Sequence, residues 1–389
     1  MQPPPFPSLP PLALYVHLPW CLRKCPYCDF NSHEQRGPLP IGEYVDALLA
    51  DLDAALPDAQ GRSLQSIFIG GGTPSLFPAA QVARLLAGIA ARLPLAADAE
   101  VTLEANPGTA EADRFRGYRE AGVNRLSLGV QSFDPAQLRR LGRIHDEREA
   151  RRAVELAQAS FERVNLDLMY ALPEQDAAGA LADARTALAT GVTHLSFYQL
   201  SLEPNTVFYS RPPPLPDDDT AAAIEAAVHA ELAGAGFRRY EVSAWARPGA
   251  ECRHNLNYWW FGDYLGIGAG AHAKVTSPRG IRREARSRVP ADYLRRAPAG
   301  EAVAERRELA AADAVFEFMM NALRLPRGFP EKLFSERTGL PLAAAEPALT
   351  QALERGLLER SRGEIRPTPL GLRFLNDLVG LFLVAGPGA

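Results

Sequence analysis

Cysteine is scarce in this chain, with four residues among 389, and three of them fall between positions 21 and 28, a crowding that suggests metal before a disulfide framework. A basic excess is missing too. The 42 Lys and Arg stand against 46 Asp and Glu, a net charge of −4, which gives no global pull toward nucleic acid or an anionic membrane. Long apolar runs are lacking: the longest late stretch, 378–386, falls short of a bilayer core of roughly 30 Å. The opening Met1-Gln2-Pro3-Pro4-Pro5 has neither the basic nor the apolar region of a secretory signal. The expectation is a cytoplasmic protein without a membrane span and without a nucleic-acid partner.

What is present has the pattern of an α/β protein. A length of 389 residues exceeds a comfortable single core, so two units are expected. Residues 1–11 are proline-rich and read as a flexible leader. Short runs rich in β-branched and aromatic residues follow at 14–18, 66–69, 101–103, 126–130, 164–169 and 194–200. Ala/Leu-rich stretches with helical spacing separate them, at 44–55, 81–91, 110–121, 149–157 and 181–189. Near-continuous apolar strands alternating with helices predict a parallel sheet covered on its outer face. Six βα units are too few for the eight-stranded barrel and suit a partial (βα)6 barrel.

Beyond residue 210 the pattern changes. A proline-rich break at 211–217 precedes a helix at 220–235 and a strand-like 240–246. An aromatic and glycine-rich loop then runs to about 274, within which 262–272 looks like a glycine-rich strand and turn closing the site, and the basic, polar stretch 275–308 reads as a linker. The remainder is helical, with strand, turn, strand and helix signals at 356–378, a winged-helix-like order. Between residues 331 and 377 seven Lys/Arg balance seven Asp/Glu, which argues against a DNA reader and for a cap or interaction module. The expected organisation is a leader at 1–11, a barrel at 12–236, a closing segment and linker at 237–308, and a C-terminal domain at 309–389.

The chemistry is concentrated in Cys21-Leu22-Arg23-Lys24-Cys25-Pro26-Tyr27-Cys28, a C-x3-C-x2-C loop directly after the first strand. Thiolates are the usual ligands of iron–sulfur clusters, and a four-iron cluster normally takes four of them. Three ligands from one loop leave one iron open to chelate the amino and carboxylate groups of S-adenosylmethionine. The other reading is a zinc site completed by Cys252 or a histidine, although structural zinc loops favour paired C-x2-C units and no second pair exists. Cys252 also reads as a small buried apolar residue.

The loop and its surroundings resemble the radical SAM superfamily and, within it, the HemN/HemW group, from about residue 15 to 274 and more weakly over the C-terminal domain. Tyr15-Val16-His17-Leu18-Pro19-Trp20-Cys21 is similar to that group's opening motif, and Gly70-Gly71-Gly72-Thr73-Pro74 to its glycine motif. Glycine there lets backbone approach a ligand. Glu104, Gln131 and Asp167 stand at or near the carboxyl ends of predicted strands, the rim that carries active sites in barrel folds. The resemblance implies a [4Fe–4S] cluster on Cys21, Cys25 and Cys28. It further implies S-adenosylmethionine contacts from Tyr15, Tyr27, Gly71, Gly72, Thr73, Glu104, Gln131, Arg143 and Asp167.

Within the group, the oxygen-independent coproporphyrinogen III oxidase has a further cysteine two residues after the third, and here that position is Phe30. It also has a longer arm before the cluster motif. Both departures, with Cys28-Asp29-Phe30-Asn31-Ser32, resemble the HemW branch of haem chaperones. Cys252-Arg253-His254-Asn255-Leu256-Asn257-Tyr258-Trp259-Trp260 resembles that branch's HN-x-x-YW motif. It makes His254 a candidate axial ligand, with Tyr258 and Trp259 as flat apolar faces for a macrocycle and Arg253 as a propionate partner. A lid cluster holding the barrel is the plainer alternative, and Cys252 the alternative axial ligand. The resemblance puts His272 near a second S-adenosylmethionine or substrate position. His17 reads as a packing or hydrogen-bonding group, while His33, His145 and the catalytic residues stay unassigned. The implied cofactors are the cluster, S-adenosylmethionine and haem. The implied partners are haem and acceptor haem proteins, those of the respiratory chain among them, met at a membrane surface. Two enzyme readings stay open: the oxidase itself, and a radical SAM methyltransferase or haem-degrading enzyme.

Overall fold

The computed structural model describes residue 6 and residues 8–109 and 112–383. Most of the leader's first seven positions, residues 110–111 of a predicted helix and residues 384–389 lie outside the described residues. Six βα units open the chain: β1 Leu12–Leu18, α1 Ile41–Ala59, β2 Leu64–Gly71, α2 Ala79–Ala90, β3 Leu95–Ala105, α3 Ala112–Glu120, β4 Arg125–Gln131, α4 Glu147–Ser160, β5 Arg163–Tyr170, α5 Ala177–Ala189, β6 His194–Gln199 and α6 Asp218–Gly234. Asp146, Asp176 and Asp217 cap the last three of these helices through their side chains, satisfying orphan amides at each N-terminus. This is an α/β partial barrel, as the alternating pattern predicts. The core strands are near-continuous buried runs, as in β1 and β4, because helices cover one face and a filled interior the other.

Six further strands extend the sheet: β7 Arg238–Glu241, β8 Ala244–Ala246, β9 Asp263–Ile267, β10 His272–Ser277, β11 Gly280–Arg286 and β12 Val303–Glu308. The order across the sheet is β12-β11-β10-β9-β1-β2-β3-β4-β5-β6-β8-β7. Strand β9 runs parallel to β1 and makes a seventh parallel member. Helix α7, Arg253–Trp259, leads into it.

The segment read as an aromatic loop and linker is therefore ordered, with strands β9 to β12 and the helices Arg253–Trp259 and Pro290–Arg296. The reason is charge burial. Arg286 sits with Asp51 at 3.2 Å and Glu284 at 2.9 Å, all three buried. Lys274 pairs with Asp263 at 2.9 Å, and Arg62 reaches the same carboxylate at 2.7 Å. Buried charges persist only when paired, and a pattern of paired charges reads as a polar surface. The described end of the leader is fixed in the same way. Arg62 donates to the Pro10 carbonyl at 2.9 Å and Asp263 N–H to that of Pro11 at 3.0 Å, while Phe6 packs on the C-terminal core.

That second core is built around Phe318, Phe329 and Phe334, with ring centroids 5.0 and 5.1 Å apart in edge-to-face contact. Strands Leu358–Ser361 and Glu364–Pro367 form the wing, and the predicted last helix is split into Pro369–Arg373 and Leu375–Gly380. Phe261 joins the barrel's closing segment to this core, edge-on to Phe318 at 5.8 Å. Among the described residues no helix is long and apolar enough to cross a membrane.

Candidate functional site

The carboxyl ends of the parallel strands surround a cavity of about 460 Å³, lined by Cys21, Cys25, Cys28, Tyr27, Gly71, Gly72, Thr73, Glu104, Asn106, Gln131, Arg143 and Asp167 among others. Eleven of these twelve are residues that the sequence singled out. Such a volume lies within the roughly 300–1,000 Å³ of small-molecule pockets.

The cysteine loop is held from several sides. His17 Nε2 meets the Asn31 carbonyl at 2.9 Å, and Asn31 Nδ2 donates to the carbonyls of Ala269 and Arg288, each at 2.9 Å. Lys24 donates to the Phe30 and Ser32 carbonyls. The glycine motif lies directly beneath. Gly71 has φ +120°, and a Cβ there would stand 2.8 Å from the His17 ring; one on Gly72 would meet the Trp20 carbonyl oxygen at 2.5 Å. Neither position admits a side chain.

Each of the three sulfurs has a polar side-chain neighbour: Thr73 Oγ1 at 3.5 Å from Cys21, an Arg143 Nη at 3.5 Å from Cys25, and Ser32 Oγ at 3.6 Å from Cys28, with the Tyr27 hydroxyl also against Cys25. Two of those neighbours are joined through Asn106, whose Nδ2 donates to Thr73 Oγ1 at 2.9 Å while its Oδ1 accepts from Arg143 at 2.5 Å. A hydrogen-bonded arc thus runs from Cys21 to Cys25. Burial pushes the Cys21 and Cys28 thiols up, opposed chiefly by the hydrogen bonds from Thr73 and Ser32. Donors placed around thiolates orient and tune an iron–sulfur cluster.

The donor set fits a cluster. No three His, Cys, Asp or Glu side chains among the described residues converge on one metal-ion position, as a mononuclear zinc site would require. In a four-iron cluster each thiolate binds its own iron. Cys252, the other thiol, is fully buried and donates to Glu100 at 3.3 Å, away from the loop cysteines. Arg143 also keeps an N–H, at Nε, buried without an acceptor, although the residue lines the cavity. An arriving carboxylate would satisfy it.

Two carboxyls also line the cavity. Burial first, and Asp167 second, push Glu104 up to about 8; burial likewise raises Asp167, against hydrogen bonds from Ser196, Asn165 and Ser127. Glu104 accepts from the Gly71 N–H at 3.1 Å. Gln131 has φ +71° and lies beside a register shift between β4 and β5. Such a bulge re-aims a side chain, and here Gln131 Oε1 accepts from the Tyr198 hydroxyl at 2.8 Å. Asn106 and Tyr198 escaped the sequence reading. The signal for Asn106 was present: it is two residues after Glu104, directly past the end of β3, where the alternation of a strand continued by one residue would put it on the same face.

A second cavity of about 410 Å³ adjoins the first and shares Gly71, Glu104 and Phe30 with it; Tyr15, His17, Tyr258, Tyr264, His272 and Arg288 complete much of its lining. Tyr15 thus belongs to this cavity and not to the first, its hydroxyl 2.9 Å from His17 Nδ1. The haem candidates separate. Tyr258 and His272 line the second cavity. His254 does not: it is 1% exposed, with Nδ1 2.9 Å from Ser66 Oγ and Nε2 3.1 Å from the Tyr258 hydroxyl. Burial holds its pKa down at about 3. Both ring nitrogens of His254 are thus spent inside the protein, where neither cavity reaches them. Trp259 faces the C-terminal domain, with the Arg324 guanidinium 4.4 Å from its ring. Arg253 pairs with Asp98 at 2.6 Å on the outer surface.

Known proteins share this architecture. The sequence profile of the Radical SAM superfamily matches residues 15–184, and that of the HemN C-terminal domain residues 309–374. The structure of coproporphyrinogen III oxidase (HemN) from Escherichia coli superposes with a TM-score of 0.82, covering 97% of this chain and 91% of that one at 23% identity; at that identity it shows the fold. The heme chaperone HemW of Escherichia coli (strain K12) is 52% identical over 97% of this chain and 99% of its own length. A mitochondrial radical S-adenosyl methionine domain-containing protein 1 from Bos taurus is 36% identical over 96% of this chain and 88% of its own. The chain belongs to the radical SAM superfamily and, within it, to the HemW family.

Proposed function

We propose that the protein is a haem chaperone that holds a [4Fe–4S] cluster on Cys21, Cys25 and Cys28, binds S-adenosylmethionine beside it, and passes haem to acceptor haem proteins. The observation that carries the reading is the thiol inventory of the cavity. Three cysteines line it, and Phe30, 62% exposed, stands between the two cavities where the oxidase pattern has a fourth. Relatives at 52% and 48% identity that carry the name heme chaperone support the same reading.

When bound, the cluster supplies single electrons and one open iron, and S-adenosylmethionine supplies a sulfonium that such an electron can cleave. The chain's own residues bind and orient. Glu104 and Asp167 favour the positive end of the nucleoside cofactor, and Arg143 its carboxylate. Gly71 and Gly72 let the backbone come close. Thr73, Arg143 and Ser32 set the charge around the thiolates. Respiratory-chain proteins as acceptors, a cytoplasmic location and docking at a membrane surface belong to this proposal as its expected setting. The test is a haem titration of the cluster-reconstituted chain followed by gel filtration. About one haem retained per chain is expected, and a chain that loses all haem on the column would contradict the reading.

A further inference from the structure

We infer that the second cavity is the seat of the haem, with Arg288 pairing a propionate and His272, in place of His254, taking the iron. This rests on the haem-chaperone reading and adds to it where the cargo sits and what holds it.

Three features of the cavity match an anionic, planar iron porphyrin. Its walls are aromatic: Tyr258 and Tyr264 meet edge-to-face with centroids 4.4 Å apart, and the Phe30 side chain stands exposed at the boundary with the cluster cavity. Flat apolar rings of this kind suit a macrocycle. Its cation is unspent. Arg288 is exposed, and its guanidinium makes no ion pair or hydrogen bond among the described residues. An unpaired arginine lining a cavity is a receptor for a carboxylate. Its imidazole is available. His272 opens β10, is exposed, and has no hydrogen bond to its ring among the described residues. Partial burial, with the charges of Arg283, Arg288 and Arg286 against that of Glu305, lowers the imidazole's pKa below its ordinary value, which favours the neutral ring that a metal takes.

The competing histidine lacks those properties. Recruiting His254 would break its bonds to both Ser66 and Tyr258 in a site with no access from either cavity. Its place in the fold is that of a positioning residue, which fixes the Tyr258 ring as a wall of the cavity. Gly71, Glu104 and Phe30, shared by the two cavities, then make haem and S-adenosylmethionine neighbours.

The test compares haem, iron-free protoporphyrin IX and its dimethyl ester as probes of the full, cluster-reconstituted chain, read by absorbance titration. Arg288→Ala is expected to weaken haem and protoporphyrin IX about tenfold, the scale of one charge-assisted hydrogen bond, and to leave the uncharged ester unchanged. His272→Ala is expected to change the axial-ligand bands of haem and leave protoporphyrin IX affinity untouched. His254→Phe should retain the wild-type haem spectrum. Both His272 and Arg288 are exposed, so retained circular dichroism and retained cluster absorbance serve as the control for folding. A wild-type chain that retains no haem overturns the chaperone reading and the placement with it. Retained haem with an unaltered spectrum in His272→Ala, and a lost one in His254→Phe, overturns the placement alone.

Discussion

Replacing Glu104 by Gln keeps an acceptor for the Gly71 N–H and removes a carboxyl that burial and Asp167 push up to about 8. The folded chain therefore holds that proton more tightly than the unfolded chain, whose carboxyl titrates near the ordinary 4.5. Stability must then fall as pH rises from the ordinary value toward about 8. Each tenfold in proton affinity is worth about 1.4 kcal/mol, so the ceiling over this window is about 5 kcal/mol. Glu104 is partly accessible through the cavity, and water there reduces the expected effect to roughly 1–2 kcal/mol. Urea denaturation of the cluster-free chain measures it. Glu104→Gln should match wild type at about pH 5 and exceed it by that amount at about pH 8.5. S-adenosylmethionine, positive at its sulfonium, favours the ionised carboxylate. Its affinity for wild type should thus rise across the same window and stay flat for the variant. A stability difference between the two chains that is the same at both pH values would refute the reasoning.

Cys25→Ser should lose the cluster's visible absorbance while the circular dichroism of the fold is retained; four irons per chain would remove Cys25 from the ligand set. Asn106→Ala cuts the arc from Thr73 to Arg143, a loss of about 1–3 kcal/mol, and should shorten the lifetime of the reconstituted cluster in air. Asp263→Ala leaves Lys274 fully buried without its carboxylate and should cost about 3–5 kcal/mol in urea denaturation; a loss below about 1 kcal/mol would show that the pair is not what holds β9 to β10.

How much of this was legible in the sequence depended on the kind of residue. The six βα units were, because their strands are apolar and their helices periodic. The cluster loop and the rim residues Glu104, Gln131, Arg143 and Asp167 were named from motif positions, and the structure brings them to one cavity. Strands β10 to β12 were hidden, whereas β9 falls in the stretch read as a glycine-rich strand and turn. Asp263, Lys274, Glu284 and Arg286 are buried charges, and a strand that buries charges in pairs lacks the alternation that marks a strand. His254 misled for a related reason. A histidine beside Tyr and Trp has the same letters whether it faces a cavity or, as here, spends both nitrogens on Ser66 and Tyr258. Asn106 was missed although it follows Glu104 by two residues directly past the end of β3, and the positive φ of Gln131 has no signature in a non-glycine residue.

The reading of a carrier against an enzyme is tested most directly by anaerobic incubation of the cluster-reconstituted protein with coproporphyrinogen III, S-adenosylmethionine and reductant. The product is followed by fluorescence after oxidation, and a haem titration is run on the same preparation. The account predicts bound haem and no protoporphyrinogen, because Phe30 occupies the position of the oxidase's further cysteine. Steady formation of protoporphyrinogen would contradict it and make the protein a decarboxylating oxidase.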